Sequence, residues 1–493
     1  MPPRKISKVR VPMREQPPEQ RIRNFDEVPY GYSEEEAVAE AQRCLICKNP
    51  CCESKCPVYI NIREVLAFIA EGKFKEAYML LMRDNAIPGI TGRVCPQEEQ
   101  CEGACIMGRT GDAINVGKLE TFAADWARRN GIIETVCIEE SPRKVAIVGS
   151  GPAGISCAAD LRKKGYQVTM YEALHMAGGV LQYGIPAFRL PKDIVDYELS
   201  HLEKMGVTIA LNTVVGQSIP FKELRQRFDA IFLGTGAGAP RFMGIPGERI
   251  NGVYSANEFL IRVNLMKAYK FPEYDTPIIC GKRVGVVGAG NVAMDSARCA
   301  RRLGSEEVSI IYRRTIKESP ARQEEIHHAK EEGIVFSELI NPVRVLSDEK
   351  GWLTGVELVK MELRDPDSSG RPRPVEVKGS NFVMELDTLI LALGSLPNRM
   401  FLERAPELQV HSWGGIKVDA SMMTTVPGVF AGGDSITGGA TVIAALGQGR
   451  KAALSIHKYL SGEGLTGARP GERPNEHPTG APAGATGATG AKT

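Results

Sequence analysis

An α/β architecture with two Rossmann-like dinucleotide-binding units, one inserted in the other and both preceded by a small helical domain, is predicted by three features of this chain. One glycine-rich turn occurs twice, as Val148-Gly149-Ser150-Gly151-Pro152-Ala153-Gly154 and as Val287-Gly288-Ala289-Gly290-Asn291-Val292-Ala293. Each copy follows an apolar, β-branched run and leads into a helix-like stretch, the context in which backbone N–H groups and a helix N-terminus receive a pyrophosphate. Eight cysteines crowd into residues 44–105, ahead of the first copy.

Composition sets the outer limits. The 493 residues, 43% of them hydrophobic, are enough for two or three cores. A net charge of +2 offers no general attraction to nucleic acid or to an anionic membrane. The sequence has no apolar run of about 18 residues that could span a bilayer, and Met1-Pro2-Pro3-Arg4-Lys5 lacks the apolar core of a secretory signal. A cytoplasmic location is therefore expected, where clustered cysteines serve metal or redox chemistry rather than disulfides.

In chain order, residues 1–32 read as an extended arm, laid over a neighbour or left in solvent. The helical domain is expected over residues 33–140. It opens with a Ser33/Glu36 capping box, and Ile62, Val65, Leu66 and Ile69 form a core-facing stripe. The first dinucleotide unit is expected over residues 141–265 and the second over 266–398, with the first resuming at 399–460. Apolar strands ending at Gly236 and Gly394 mark the joins. Residues 461–493, rich in Gly, Ala, Pro and Thr, are expected to be a disordered tail.

The cysteines read Cys44-x2-Cys47, Cys51, Cys52, Cys56-Pro57, then Cys95-Pro96, Cys101 and Cys105. Such spacing lets thiolates curl around one iron–sulfur cubane, and a proline after the last cysteine recurs in ferredoxin-type runs. A four-thiolate zinc site uses the same ligands. Zinc carries no electrons, however, and two dinucleotide sites call for an electron acceptor. Adjacent side chains on an extended segment point apart, so one of Cys51 and Cys52 is expected to be a spectator.

These residues resemble the small (beta) subunit family of bacterial glutamate synthase. They also resemble its relative, the large subunit of NADH-dependent reduced ferredoxin:NADP oxidoreductase, or sulfide dehydrogenase alpha. The pattern C-x2-C-x4-C-x3-C-P followed by G-R-V-C-P-Q-x3-C-x3-C fits residues 44–57 and 92–105 when Cys52 is taken. The resemblance, which spans about Met13 to Leu460, implies two [4Fe-4S] clusters: Cys44, Cys47 and Cys95 on one, and Cys52, Cys56, Cys101 and Cys105 on the other. For the missing fourth ligand it implies Glu120, within Gly117-Lys118-Leu119-Glu120, with Cys51 as the alternative.

The first fingerprint (Gly149, Gly151, Pro152, Ala153, Gly154) is followed by a second strand ending in Glu172, placed to accept from ribose hydroxyls. Downstream segments resemble those of two-dinucleotide flavoproteins and imply FAD. They supply Gly179, Leu181 and Arg189, then Gly236, then Gly433-Asp434 at the ribityl chain and a helix N-terminus at Thr441 and Val442 facing the isoalloxazine. In the second fingerprint (Gly288, Gly290, Asn291, Val292) the second strand ends in Arg313 and Arg314. Paired guanidinium groups there favour the 2′-phosphate of NADP(H), with Gly394 closing the site. His327 and His328 are expected on a helix surface, and Cys157, Cys280 and Cys299 as buried structural thiols.

Hydride transfer between stacked rings needs little acid–base help, so no general base is assigned. The expected function is an oxidoreductase subunit moving electrons between NADPH, FAD, two [4Fe-4S] clusters and a second redox subunit. That partner is either a small FAD/[2Fe-2S] subunit, with ferredoxin as a further acceptor, or a glutamate synthase large subunit. Met13-Arg14-Glu15-Gln16 and Thr91 lean toward the first. The contrasting expectation is a zinc-stabilised regulatory or scaffold protein on a reductase fold.

Overall fold

The computed structural model describes residues 6–133, 138–366 and 370–462. The expected tail from residue 463 onward lies outside them. The helical domain contains Glu34–Ala41, Ile62–Ala70, Phe74–Asp84, Pro88–Val94 and Val116–Arg129. Ser33 caps the first of these, with both capping-box hydrogen bonds present, and Ile62, Val65, Leu66 and Ile69 are buried together.

Two five-stranded parallel sheets follow. The first runs Val429–Ala431, Ala230–Leu233, Lys144–Val148, Gln167–Tyr171, Thr208–Ala210 across its width. The second runs Val253–Ser255, Thr388–Leu391, Arg283–Val287, Glu307–Tyr312, Val335–Glu338. Central strands are buried on both faces, which explains their unbroken apolar runs. The edge strand Val429–Ala431 of the first sheet comes from beyond the entire second sheet, so the second unit is inserted in the first. An antiparallel sheet (Ile340–Ser347, Leu353–Pro366, Pro372–Glu376, Phe382–Glu385) extends the insert.

The insert starts earlier than residue 266, because Val253–Ser255 already pairs with Leu389–Leu391. Three residues leave no readable periodicity. The chain enters and leaves the insert through Ala239–Pro240 and Ser395–Leu396, which pair with each other as a two-stranded ribbon. The arm is held rather than loose: it forms a turn of helix at Pro18–Arg21 and crosses all three units. One apolar core joins the helical domain to the first sheet, including Ile62, Leu66, Ile147, Leu181 and Ile443.

Candidate functional site

The cysteine ligands are brought to two cavities. Cys44, Cys47, Cys52 and Cys105, with Cys51 at the rim, line one. Cys56, Cys95, Cys101 and Glu120 line the other. This corrects the expected grouping, in which Cys95 and Glu120 joined Cys44 and Cys47. Cys51 and Cys52 begin a short helix, Cys51–Ser54, rather than lying extended. Cys51 is exposed, while Cys52 lines the cavity with Cys44 and Cys105; burial, with the neighbouring Glu53, Cys44 and Cys105, pushes its thiol up to about 12. Burial likewise pushes the Cys95 and Cys101 thiols well up, Glu120 and Cys56 adding to it for both and Arg322 opposing it for Cys95. Four soft or anionic donors per cavity, half-buried in the first and buried in the second, are the donor set a cubane takes; uncompensated, the second set would carry the cost of buried thiols next to a carboxylate.

Glu120 is held for the role. Asn85 Nδ2 and Thr91 Oγ1 both donate to its Oε1, at 2.7 and 2.6 Å. Its other oxygen receives no donor among the described residues. Burial raises the carboxyl to about 7.

The flavin cleft is built where three loops meet. Gly149 has φ +100°, and a Cβ there would stand 2.3 Å from Gly234 O. A Cβ on Gly154 would stand 2.1 Å from Gly149 O. These two glycines permit close packing of turn, strand and helix. A Cβ on Gly151 would meet nothing within 4 Å, so this is the open side at which a pyrophosphate fits, at the N-terminus of helix Pro152–Lys163. Ser150 ties the loops together: its N–H and hydroxyl donate to Glu172 Oε2, and its oxygen accepts from Gly178 N at 2.8 Å. Gly179 lies against Gly151, the Cβ position of the former 3.1 Å from the Cα of the latter. Burial, with the Asp434 and Glu172 charges, pushes the Tyr183 phenol up to about 12. Gly433 (φ +73°) leans on Ala153 and donates to Gln448 Oε1 at 2.6 Å. Asp434 follows it and accepts from Ala440 N at 3.1 Å, and Thr441 caps the closing helix Val442–Ser461. Gly236 and Leu181 stand at the same end of the sheet, Leu181 fully buried.

Arg189 does not face this cleft. It is buried in ion pairs with Asp295 and Glu325, both at 2.8 Å, where it ties the first unit to the second. Lys192, absent from the sequence expectations, donates to the Leu181 and Ile185 carbonyls and so fixes the loop behind Gly179; burial lowers its ammonium to about 7.

The second fingerprint repeats the geometry. A Cβ on Gly288 (φ +122°) would stand 2.4 Å from Ala392 O, whereas Gly290 opens to space bounded only by Pro320 at 3.9 Å. Val292 is exposed on the first turn of helix Asn291–Arg302, and Gly394 (φ +87°) borders open space. Of the expected arginine pair only Arg313 is exposed at the strand end. Arg314 is buried and donates from Nε to Pro372 O at 2.8 Å, because the antiparallel hairpin packs on that side. His328 is also buried, against Glu15 of the arm at 2.8 Å; only His327 is on the surface. Cys157 and Cys299 are buried, and Cys280 is half-buried beside Ser305.

A chain with an FAD cleft, an inserted nicotinamide-nucleotide unit and a thiolate-lined helical domain is a flavin-dependent nucleotide reductase with its own iron–sulfur module. Residues 143–449 match the pyridine nucleotide-disulphide oxidoreductase family, and residues 21–132 match the dihydropyrimidine dehydrogenase domain II, 4Fe-4S cluster family. The chain is 36% identical over 444 residues to the glutamate synthase [NADPH] small chain of Escherichia coli, covering 88% of this chain and 94% of that one. It belongs to the glutamate synthase small-chain family. It is also 38% identical over 435 residues to the NADP(+)-dependent formate dehydrogenase subunit beta of Moorella thermoacetica, where it spans 60% of the relative's length and 83% of its own. Among solved structures, Mycobacterium tuberculosis FprA in complex with NADPH superposes with a TM-score of 0.56 at 21% identity, over 65% of this chain and 85% of that one, a likeness of fold. The helical domain is a [4Fe-4S] domain and the two sheets bind FAD and NADP(H). Among the described residues, no helix is long and apolar enough to cross a membrane.

Proposed function

We propose that this chain is the NADPH-oxidising electron-transfer subunit of a hetero-oligomeric complex, carrying two [4Fe-4S] clusters, one on Cys44, Cys47, Cys52 and Cys105 and one on Cys56, Cys95, Cys101 and Glu120. FAD and the clusters, when bound, supply the conversion of a hydride into single electrons. What the chain supplies is order. The observation that carries the reading is Ile443: it lines the Cys56/Cys95/Cys101/Glu120 cavity and stands on the first turn of helix Val442–Ser461, which starts two residues after Ala440, the residue hydrogen-bonded to Asp434. One helical turn therefore separates the flavin end from the inner cluster. Val116 lines both cavities, which continues the path outward. Buried apolar side chains, Ile62 and Leu66, line both cavities.

The partner is a second redox subunit. The sequence at Met13–Gln16 and Thr91 leans toward a small flavoprotein with ferredoxin as acceptor; the 94% coverage of a glutamate synthase small chain favours the large chain of that enzyme. Anaerobic purification tests both levels. Broad visible absorbance beyond the flavin bands, acid-labile sulfide and bleaching by NADPH are expected; a colourless, iron-free, zinc-binding preparation would sink the proposal. A co-purifying partner with glutamate output, or one with ferredoxin reduction, decides between the pairings.

A further inference from the structure

The segment Ser319–Arg322 belongs to the inserted unit, yet it is hydrogen-bonded at one end to the second fingerprint and at the other to the loop carrying Cys95. On the fingerprint side, Ser319 Oγ donates to Ala289 O at 2.6 Å and Arg322 N donates to Asn291 Oδ1 at 3.0 Å. On the cluster side, the Arg322 guanidinium donates to Arg93 O at 2.9 Å and to Gln97 Oε1 at 3.0 Å. These acceptors lie two residues before and two residues after Cys95, so the planar fork brackets that ligand. Gln97 extends the grip, since its backbone oxygen accepts from Gln100, Glu102 and Gly103, around Cys101. Arg322 is buried, and Gln323 N adds a bond to Glu98 at 2.9 Å.

We propose that Arg322 is a positioning residue that couples occupancy of the second fingerprint to the reduction potential of the centre on Cys56, Cys95, Cys101 and Glu120. The inference rests on the function proposed above. A phosphate seated at Gly290 and Asn291 orders Asn291, and with it the Arg322 backbone. The guanidinium is then held against the Cys95 loop, where a fixed cation and a rigid loop favour the more negative, reduced centre. Linkage requires the reciprocal effect: adding one electron to that centre strengthens nucleotide binding by the same factor.

The test is an EPR-monitored reductive titration of the holoprotein with and without saturating 2′,5′-ADP, which fills the adenosine half of the site and has no nicotinamide ring to stack on the flavin. The centre is identified by its altered signal in Glu120→Cys. Its midpoint is expected to rise by about 40 mV in the presence of 2′,5′-ADP, a fivefold coupling for a one-electron couple, while the other centre does not move. In Arg322→Lys, which keeps the charge and loses the fork, the shift is expected to vanish with 2′,5′-ADP still bound. An unmoved midpoint in the parent protein overturns the inference without recourse to any variant, as does an undiminished shift in Arg322→Lys. Absence of iron or of 2′,5′-ADP binding overturns the proposed function itself, and the coupling falls with it.

Discussion

Single side chains decide what each site can hold. Glu120 offers one oxygen to two protein donors and keeps the other for the cavity, whereas Cys51 is exposed at the rim of the other cavity. Glu120→Ala is therefore expected to lower bound iron to about half while Cys51→Ser leaves it unchanged, read by iron and sulfide analysis. Glu198 is a second case. It is buried between the helical domain and the first unit, accepts from Gly89 N at 2.7 Å, and its other oxygen lacks a partner among the described residues. Burial raises its carboxyl from the ordinary 4.5 to about 8. Between those values the folded protein binds a proton that the unfolded chain has released, so this group's contribution to stability falls as pH rises from 4.5 to 8. Glu198→Gln imitates the protonated form and escapes the loss. The melting temperature of the variant minus that of the parent should grow by several degrees between about pH 5 and about pH 8.5; a constant difference would contradict the assignment. At this scale the sequence was informative where packing demands one residue type at one spacing, as with Gly149 and Gly154, whose added Cβ atoms would stand 2.3 and 2.1 Å from backbone oxygens. It was not for Arg189 and Arg314, because an arginine beside a cofactor motif reads alike whether it meets a phosphate or a neighbouring carboxylate and carbonyl.

Among the elements, the two fingerprint helices and the closing helix carry the cofactor geometry, and their glycines separate packing from binding. Gly449 on the closing helix faces helix Pro152–Lys163, and a Cβ there would stand 2.2 Å from Ala153 O. Gly151 has φ −71° and faces open space, so alanine fits its backbone without strain. Gly449→Ala should force the helices apart and cost about 1–3 kcal/mol of stability in the apoprotein. Gly151→Ala should leave apoprotein melting unchanged and lower FAD retention at least tenfold, since its methyl occupies the approach of the pyrophosphate. Flavin release and melting of the two apoproteins check the pair. The regrouping of the cysteines belongs to this scale too. Spacing along the chain showed that there were ligands for two centres, but the short helix Cys51–Ser54 and the bracketed Cys95 loop decide which thiol faces which cavity. Neither leaves a periodic trace.

For the whole molecule, the arm does what the sequence left open between solvent and neighbour: it straps the three units together. Arg21 is 2% exposed and pairs with Glu331 at 2.7 Å and Glu332 at 2.9 Å on the inserted unit. Phe25 stacks on Tyr269, ring centroids 4.1 Å apart. Val28 N donates to Phe188 O of the first unit at 3.0 Å, and Glu27 pairs with Arg93 of the helical domain at 2.7 Å. Glu332 also pairs with Arg298 and Arg302, so removing Arg21 leaves that carboxylate compensated and strips Glu331, Glu15 and the carbonyls of Gln16 and His328. Arg21→Met should then cost about 1–3 kcal/mol rather than the larger sum of an orphaned buried charge. Because Arg21 and its partner Glu332 are both shielded from solvent, the cost should persist in about 1 M salt. The exposed pair of Arg14 with Glu36 gives the contrast: Arg14→Met should cost about 0–1 kcal/mol, and nothing at high salt. Hydrogen exchange locates the effect. In Arg21→Met, protection should fall in the helix Gln323–Glu331, which faces the arm, and hold in Ile62–Ala70, which does not. Uniform loss of protection in both helices would mean that the three units unfold as one body and that the arm is not their tie.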